Sequence, residues 1–186
     1  IRNEVFHVTL SGGEPMLLGT KKLERIIYKY CTVNMHVSFN SSLSIMPDGI
    51  ADIFSEYGVK VLTSILSYDS EQFSRITNNL SGYNCLIKNV EKLSKRNVRV
   101  ASNMVVTKNS IKDVYRTGLF SIDIGCSSFN ATRISPSSEI DAEHHKKMVL
   151  DNTDILSMLE QLLCIKEEKK VSVGTLNALP YCAVSN

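Results

Sequence analysis

The stretch Leu-Ser-Gly-Gly-Glu-Pro at positions 10–15 follows residues 5–10, an alternating apolar run that predicts a β-strand. Gly12 and Gly13 can adopt positive φ and let a ligand approach the backbone closely, which a Cβ would prevent. Glu14 places an acceptor for an ammonium group at the carboxyl end of this strand. Pro15 fixes φ and prevents the strand from continuing. The stretch therefore predicts a strand that ends in a ligand-binding turn, with a glycine turn that binds nothing as the alternative.

Beyond this turn, strand-like and helix-like segments alternate at roughly 25 to 35 residues per unit, which is typical of βα repeats on a parallel sheet. Five or six units fit, so the predicted fold class is α/β, a partial (βα)6-type parallel barrel, with an open doubly wound sheet as the alternative. Further strands are predicted at 33–39, 59–66, 98–106, 119–124 and 171–173. Helices are predicted at 18–30, 48–57 with Asp48 as N-cap, from 81 onward, at 110–117 with Gly118 as the stop, and at 151–170.

The strand ends predict where a ligand would lie. In parallel α/β folds, ligands bind at the carboxyl ends of the strands. The loops after residues 10, 39, 66, 106 and 124 should therefore form one rim.

Composition and charge indicate an ordinary globular protein. The 186 residues suffice for one domain, with 43% apolar and 22% charged residues. A net charge of +2 gives no electrostatic reason to expect nucleic acid or an anionic membrane as partner. No apolar run approaches the roughly 18 residues of a membrane span. The five cysteines are dispersed without paired spacing, which favours reduced thiols in the cytoplasm.

The Gly-Gly-Glu-Pro stretch resembles the motif that closes the second barrel strand in the radical S-adenosylmethionine (SAM) enzymes. In that family the motif binds the amino group of the methionine moiety of SAM. The resemblance implies that Gly12, Gly13, Glu14 and Pro15 contact this cofactor.

Two polar residues after later strands extend the resemblance. Asn40 stands where the family carries a Thr-Asn-Gly turn, and Ser64 takes the place of the serine in a Ser-hydrophobic-Asp-Gly strand. The resemblance implies SAM contacts for both, whereas Asn40 in a left-handed turn and Ser64 bonded to a backbone group are the alternatives. The usual Asp-Gly is replaced here by Leu66-Ser67, so the role of that acidic residue is lost or moved to Asp69.

Two arginines are further candidates for the SAM carboxylate. Arg75 falls near a basic position of the family, and Arg133 lies in the segment 129–136 that resembles the one after the sixth strand. A guanidinium can hold a carboxylate with two parallel hydrogen bonds. A solvated helix position is the alternative for Arg75. The segment 103–109, which begins at Asn103, resembles the fifth strand of the family and its turn.

The catalytic cluster of the family has no counterpart in the sequence. The family holds a [4Fe–4S] cluster with a CxxxCxxC loop, and this spacing does not occur here. The resemblance implies an internal fragment whose cluster loop lies upstream of Ile1, so this piece alone is expected to be inactive. The parent enzyme would reductively cleave SAM to a 5′-deoxyadenosyl radical that abstracts hydrogen, most plausibly from a peptide or protein substrate.

Residues 177–182, Asn-Ala-Leu-Pro-Tyr-Cys, resemble the entry into the cysteine-rich SPASM or twitch extension of peptide-modifying members. The resemblance implies a core barrel at 1–174 and the start of an extension at 175–186. Cys182 would then be a ligand of an auxiliary iron–sulfur cluster, with an ordinary thiol as the alternative.

Three other interpretations stay open. Residues 10–14 also resemble the signature loop of ABC-type ATPases, but no P-loop precedes them and a helix-like segment at 21–28 follows. A non-catalytic binding module on the same fold would lack the cluster cysteines altogether. An acid–base βα-barrel enzyme would need paired titratable groups on the rim, where Glu14, Asp69 and Lys108 are the candidates.

Overall fold

A computed structural model describes residues 6–79, 81–135 and 142–177 of the chain. Its strands are β1 (His7–Leu10), β2 (His36–Asn40), β3 (Lys60–Ser64), β4 (Arg99–Val106), β5 (Ser128–Arg133) and β6 (Ser172–Gly174). Its α-helices are α1 (Thr20–Cys31), α2 (Ile50–Glu56), α3 (Ser70–Thr77), α4 (Gly82–Ser94), α5 (Val114–Asp123), α6 (Ala142–Met148) and α7 (Asn152–Lys169). Short 3₁₀ helices occur at Pro15–Leu18 and Ile111–Asp113.

The six strands form one parallel sheet in the order β1-β2-β3-β4-β5-β6. A doubly wound sheet reverses its strand order at a switch point, and this sheet does not. Because βα crossovers are right-handed, a sequential order places the connecting helices on the same side of the sheet. The fold is therefore the predicted α/β partial barrel, and the doubly wound alternative is wrong.

The two faces of the sheet differ in polarity because side chains alternate along each strand. The face toward the helices carries buried apolar residues such as Phe39, Val61 and Val100, and the Phe39 ring packs against Phe54 at a centroid distance of 4.8 Å. The opposite face, here called the inner face, carries small polar residues such as Asn40 together with Leu62. Register places Ser64 beside Asn103 on this face. The inner face is thus available to a polar ligand.

The segment 119–124 is a helix and not the predicted strand. It belongs to α5, and the true fifth strand is β5, which begins at Ser128. The apolar residues that suggested a strand pack against the two buried apolar clusters of the core, and the Phe120 ring stacks on Tyr83. Ile124 therefore precedes a strand and lies away from the carboxyl rim. Gly118 lies inside α5 and does not end the helix. Glycine fits at this position because a Cβ would collide with the side chains of Ile165 and Phe129.

Smaller differences concern other helices. Helix α3 has no counterpart among the predicted elements. The N-cap of α2 is Gly49 at φ 79°, while Asp48 uses its backbone carbonyl to accept from Thr20 Oγ1. Helix α7 begins as predicted, since Asp151 and Asp154 form a reciprocal capping box. No helix among the described residues combines the length and apolar character that a membrane crossing needs.

Candidate functional site

The turn after β1 depends on its two glycines. Gly12 has φ 90° and Gly13 has φ 58°, a region that residues with a Cβ enter only at a cost. A Cβ built on either glycine would meet no atom within 4 Å. Backbone conformation, and not crowding by the protein, therefore requires glycine here. The space over this backbone is open to a ligand.

The carboxylate of Glu14 holds this turn to the loop after β2. Oε1 accepts from the Ser41 hydroxyl at 2.7 Å and from the Met16 N–H at 3.2 Å. Oε2 accepts from the Ser42 hydroxyl at 2.6 Å and from the Ser42 N–H at 2.9 Å. A carboxylate has about four acceptor positions, and the protein itself fills all of them. Glu14 also serves as the N-cap of the 3₁₀ helix that Pro15 begins.

These contacts also set the ionisation of Glu14. Partial burial by itself would raise the pKa of Glu14, because a low-dielectric environment disfavours the charged form. The hydrogen bonds from Ser42, Ser41 and Met16 outweigh burial and lower the pKa below its usual value. Glu14 is therefore a stable carboxylate at neutral pH.

A cavity of about 450 Å³ lies at the carboxyl ends of β1 to β4. Its polar wall combines the glycine turn with residues of the following strands, and its apolar wall comes mainly from β3 and α3. The lining residues used below are Gly12, Gly13, Asn40, Ser64, Asn103, Leu62, Leu66 and Phe73.

The cavity brings four of the predicted residues together. Gly12 and Gly13 line it beside Asn40, which ends β2 and donates from Nδ2 to Ser11 Oγ at 3.4 Å. Asn40 is extended and does not occupy a left-handed turn, so that alternative is wrong. Ser64 ends β3 and lines the cavity, and its hydroxyl group has no hydrogen-bond partner among the described residues.

Sequence reasoning did not give Asn103 a role, yet it lines the same cavity from β4. Its Oδ1 accepts a hydrogen bond from Thr132 Oγ1 at 2.7 Å, and Thr132 in turn accepts from the Leu176 N–H at 3.3 Å. These partners lie 29 and 44 residues apart along the chain. The local pattern of β4, an apolar strand with one central asparagine, offered no signal beyond the presence of an amide in a strand.

The two predicted arginines lie outside the lining of this cavity. Arg75 is exposed on the last turn of α3 and borders a separate depression with Ser74 and Asn78. This is the solvated helix position foreseen as the alternative. Arg133 ends β5, opposite Val106, and its buried Nε has no hydrogen-bond partner in the part of the chain that the structure describes. Whether Arg75 or Arg133 reaches a cofactor stays a prediction.

The titratable residues proposed for acid–base chemistry all have structural partners. The carboxylate of Glu14 holds the serine loop, and Asp69 caps α3 by accepting from the Gln72 N–H at 2.8 Å. Lys108 forms an ion pair with Asp151 at 3.1 Å. Among the described residues, no group of three His, Cys, Asp or Glu side chains is arranged to hold a metal ion. Cys182 lies outside the described residues.

Comparison with known proteins identifies the family. The model of the radical SAM superfamily matches residues 1–118, whereas no curated protein sequence matches the chain. SuiB of Streptococcus suis bound to its precursor peptide SuiA superposes with a TM-score of 0.71 at 16% identity, over 96% of this chain and 40% of SuiB. The enzyme anSMEcpe with bound AdoMet and Kp18Cys peptide gives 0.72 at 18% identity, over 90% of this chain and 49% of its own.

A domain of a pyruvate-formate lyase-activating enzyme from Bacteroides vulgatus gives 0.70 at 14% identity, over 92% of this chain and 99% of the domain. At identities this low, the TM-scores show a shared fold and nothing further. The chain spans less than half the length of SuiB and of anSMEcpe. The family model covers well over half of the chain, and its match includes the glycine turn, Asn40 and Ser64. The chain therefore belongs to the radical SAM superfamily.

Proposed function

We propose that this chain is the SAM-binding part of a radical SAM enzyme that abstracts hydrogen from a peptide or protein substrate. The observation that carries the proposal is the single cavity that joins the glycine turn to Asn40 and Ser64. These residues come from three strands and meet only because the parallel sheet aligns their carboxyl ends.

The cavity fits the size and character of SAM. Its volume of about 450 Å³ lies within the range of sites for small molecules and cofactors. Leu66 and Phe73 offer an apolar wall for a base, while the opposite wall is polar. Gly12 and Gly13 would hold the methionine end through their backbone, and Glu14 would keep that backbone in place. Direct acceptance of the ammonium by Glu14 would require it to exchange one of its serine bonds.

When bound beside a reduced [4Fe–4S] cluster, SAM supplies a 5′-deoxyadenosyl radical that abstracts hydrogen. The described residues do not form a ligand set for such a cluster. The chain's own contribution is to bind the cofactor and to orient it at the rim. The upstream cysteine loop, and Cys182 as ligand of an auxiliary cluster in an extension starting at 175, are parts of the proposal.

Two observations support a peptide or protein as substrate. SuiB and anSMEcpe, which share this fold, have structures with bound peptides. In addition, the inner face at the cavity carries small polar side chains such as Ser64, which would form hydrogen bonds with a second ligand. A peptide maturase with a SPASM-type extension is the form of the proposal that fits both.

The test uses the complete protein, reconstituted with iron and sulfide without oxygen. The proposal predicts that it binds S-adenosylhomocysteine (SAH) in calorimetry and that, with dithionite, it converts SAM to 5′-deoxyadenosine and methionine. Absence of SAH binding would refute the cofactor assignment. Binding of SAH without any cleavage of SAM would instead favour the non-catalytic binding module.

A further inference from the structure

Asn103 presents an unused donor to the cavity. Only 8% of Asn103 is exposed, and its Oδ1 is occupied by the hydroxyl of Thr132. Its Nδ2 has no hydrogen-bond partner among the described residues. Within residues 6–79, 81–135 and 142–177, the fully buried side-chain atoms without a partner are Thr63 Oγ1 and Arg133 Nε. Asn103 Nδ2 is not one of them, so it keeps contact with the cavity that Asn103 lines. A buried amide that leaves a donor unused loses free energy unless a ligand or water accepts from it.

Hydrogen bonds from Thr132 and the backbone of Leu176, which lie outside the cavity lining, fix the orientation of the Asn103 amide. Thr132 Oγ1 accepts from the Leu176 N–H at 3.3 Å and donates its own proton to Asn103 Oδ1 at 2.7 Å. Because Thr132 donates, the atom of Asn103 that receives this bond must be the oxygen. The NH₂ group is therefore the part that faces the cavity.

The position of Asn103 in the sheet determines which part of SAM lies within its hydrogen-bonding reach. It lies on β4, three strands from the glycine turn at the end of β1, which corresponds to about 14 Å at the usual spacing of strands. Ser64, its neighbour in register, also lines the cavity. With the methionine end at the glycine turn, the acceptors within reach of Asn103 are the hydroxyl and ring-nitrogen atoms of the nucleoside.

We infer that Asn103 donates a hydrogen bond to the nucleoside of SAM and that Thr132 is a positioning residue that holds the Asn103 amide in the required orientation. The inference rests on the proposed function, because it takes SAM to be the ligand of the cavity. It assigns Thr132 and the Leu176 backbone, neither of which lines the cavity, a part in cofactor affinity.

The experiment measures SAH binding to the reconstituted complete protein by calorimetry. Asn103→Asp keeps the shape and the bond from Thr132 but replaces the donor with an acceptor, and it should weaken SAH binding by about tenfold or more. Thr132→Val should weaken it by several fold, and Thr132→Ser, which keeps the hydroxyl, should restore it. Combining Thr132→Val with Asn103→Ala should weaken binding no further than Asn103→Ala alone, because Thr132 acts through Asn103.

Asn130→Ser is the matched control. Asn130 is the register neighbour of Asn103 on β5, donates to the Ser102 carbonyl at 3.2 Å, and does not line the cavity. This variant should bind SAH within twofold of the wild type. Titrations with 5′-deoxyadenosine and with methionine show which part of SAM contacts Asn103. Asn103→Asp should weaken the binding of 5′-deoxyadenosine and leave the binding of methionine unchanged.

Each contrary result has its own meaning. If the wild type fails to bind SAH, the proposed function and this inference both fail. If the wild type binds SAH and Asn103→Asp binds it equally well, only the inference is overturned. The inference is also overturned if Asn103→Asp loses as much affinity for methionine as for 5′-deoxyadenosine. It is overturned as well if Thr132→Ser binds SAH as weakly as Thr132→Val. Circular dichroism and thermal unfolding verify that each variant is folded, and the Thr132 pair decides the matter if an Asn103 variant is not.

Discussion

Ser42 directs both of its donors at one oxygen of Glu14, its hydroxyl at 2.6 Å and its backbone N–H at 2.9 Å. The two residues lie 28 positions apart, on the loops that follow β1 and β2. The pair therefore ties the glycine turn to the neighbouring strand end, and the shape of the turn depends on a contact outside its own sequence. An acidic residue next to two glycines looked like a ligand contact from the sequence, and the structure shows that it also has a structural role.

Replacing Glu14 with Gln should destabilise the fold at neutral pH. An amide nitrogen cannot accept the bonds that one carboxylate oxygen now receives, so donors of Ser41 or Ser42 lose their acceptor. Hydrogen bonds to a charged group contribute more than neutral ones, and we expect a loss of about 1–2 kcal/mol in the free energy of unfolding by urea. Ser42→Ala, which keeps its backbone bond, should cost less. Equal stability of wild type and Glu14→Gln would contradict the role of the carboxylate.

The same carboxylate predicts how stability depends on pH. The folded-state pKa of Glu14 is lowered, so the unfolded chain binds its proton first as the pH falls. Its contribution is fully present above the usual glutamate pKa of about 4.3 and is lost as the pH falls from there through the lowered folded value. The melting temperature of the wild type should therefore drop more steeply below this pH than that of Glu14→Gln. Parallel curves for the two proteins would show that Glu14 is not responsible.

Gly13 and Gly58 allow a paired test of the glycine turn. Both have positive φ, 58° and 63°, and a Cβ on either would meet nothing within 4 Å. Substitution by Ala should therefore cost a similar conformational energy, about 1 kcal/mol, at both positions. Only Gly13 lines the cavity, so only Gly13→Ala should weaken SAH binding, by about tenfold or more. Gly58, which follows α2, is the control. Equal SAH affinity of both variants and the wild type would remove the turn from the binding site.

The sequence predicted those parts of the site that depend on short stretches. The paired glycines follow β1, and Asn40 and Ser64 end β2 and β3. Because the strand ends of a parallel sheet meet at one edge, the sequence alone predicted that these residues share one rim. Asn103 was not found, because its orientation depends on Thr132 and on the backbone of Leu176, which only the folded sheet brings near. Arg75, for which the family register suggested a SAM contact, is exposed on α3 and outside the cavity lining, and its contact with a cofactor stays a prediction.

Predicting the fold failed where packing overrides local preference. Leu119, Phe120 and Ile122 form an apolar segment that suits a strand by composition. In the structure they belong to α5, where they pack against neighbouring core residues. The sequence pattern predicts Gly118 as a helix stop, because glycine often follows a helix, yet Gly118 lies inside α5. Its actual role is steric, and it depends on residues of β5 and α7 that no local pattern specifies.

Cys126 should be chemically inert in the folded protein. Burial is the main influence and raises the pKa of the Cys126 thiol to about 12, although a hydrogen bond with Ser102 opposes the shift. At pH 8 roughly one thiol in ten thousand would then be a thiolate, which is the reactive form. In brief alkylation of the native protein followed by mass spectrometry, the exposed Cys164 should be modified and Cys126 should not. Cys126 should react only after denaturation; equal labelling of both cysteines in the native protein would be inconsistent with the burial of Cys126.

Gly118 should resist the substitution that normally strengthens a helix. Alanine inside a helix is favoured over glycine by about 1 kcal/mol. A Cβ at Gly118, however, would approach Ile165 Cδ1 to 2.3 Å and the Phe129 ring to 3.0 Å, and both side chains are fully buried. Overpacking of this kind costs about 1–3 kcal/mol, so Gly118→Ala should lower the free energy of unfolding.

Ile165→Val identifies the contact responsible, because it deletes the Cδ1 atom that the new methyl group would strike. Alone it should cost about 0.5–1.5 kcal/mol through lost burial. In urea unfolding, the double variant should be more stable than the sum of the two single changes predicts, because each change relieves the other. Strict additivity would show that Ile165 does not restrict this position. A stabilising effect of Gly118→Ala would show that the helix tolerates the methyl group and that glycine is not needed for the packing of α5 against β5 and α7.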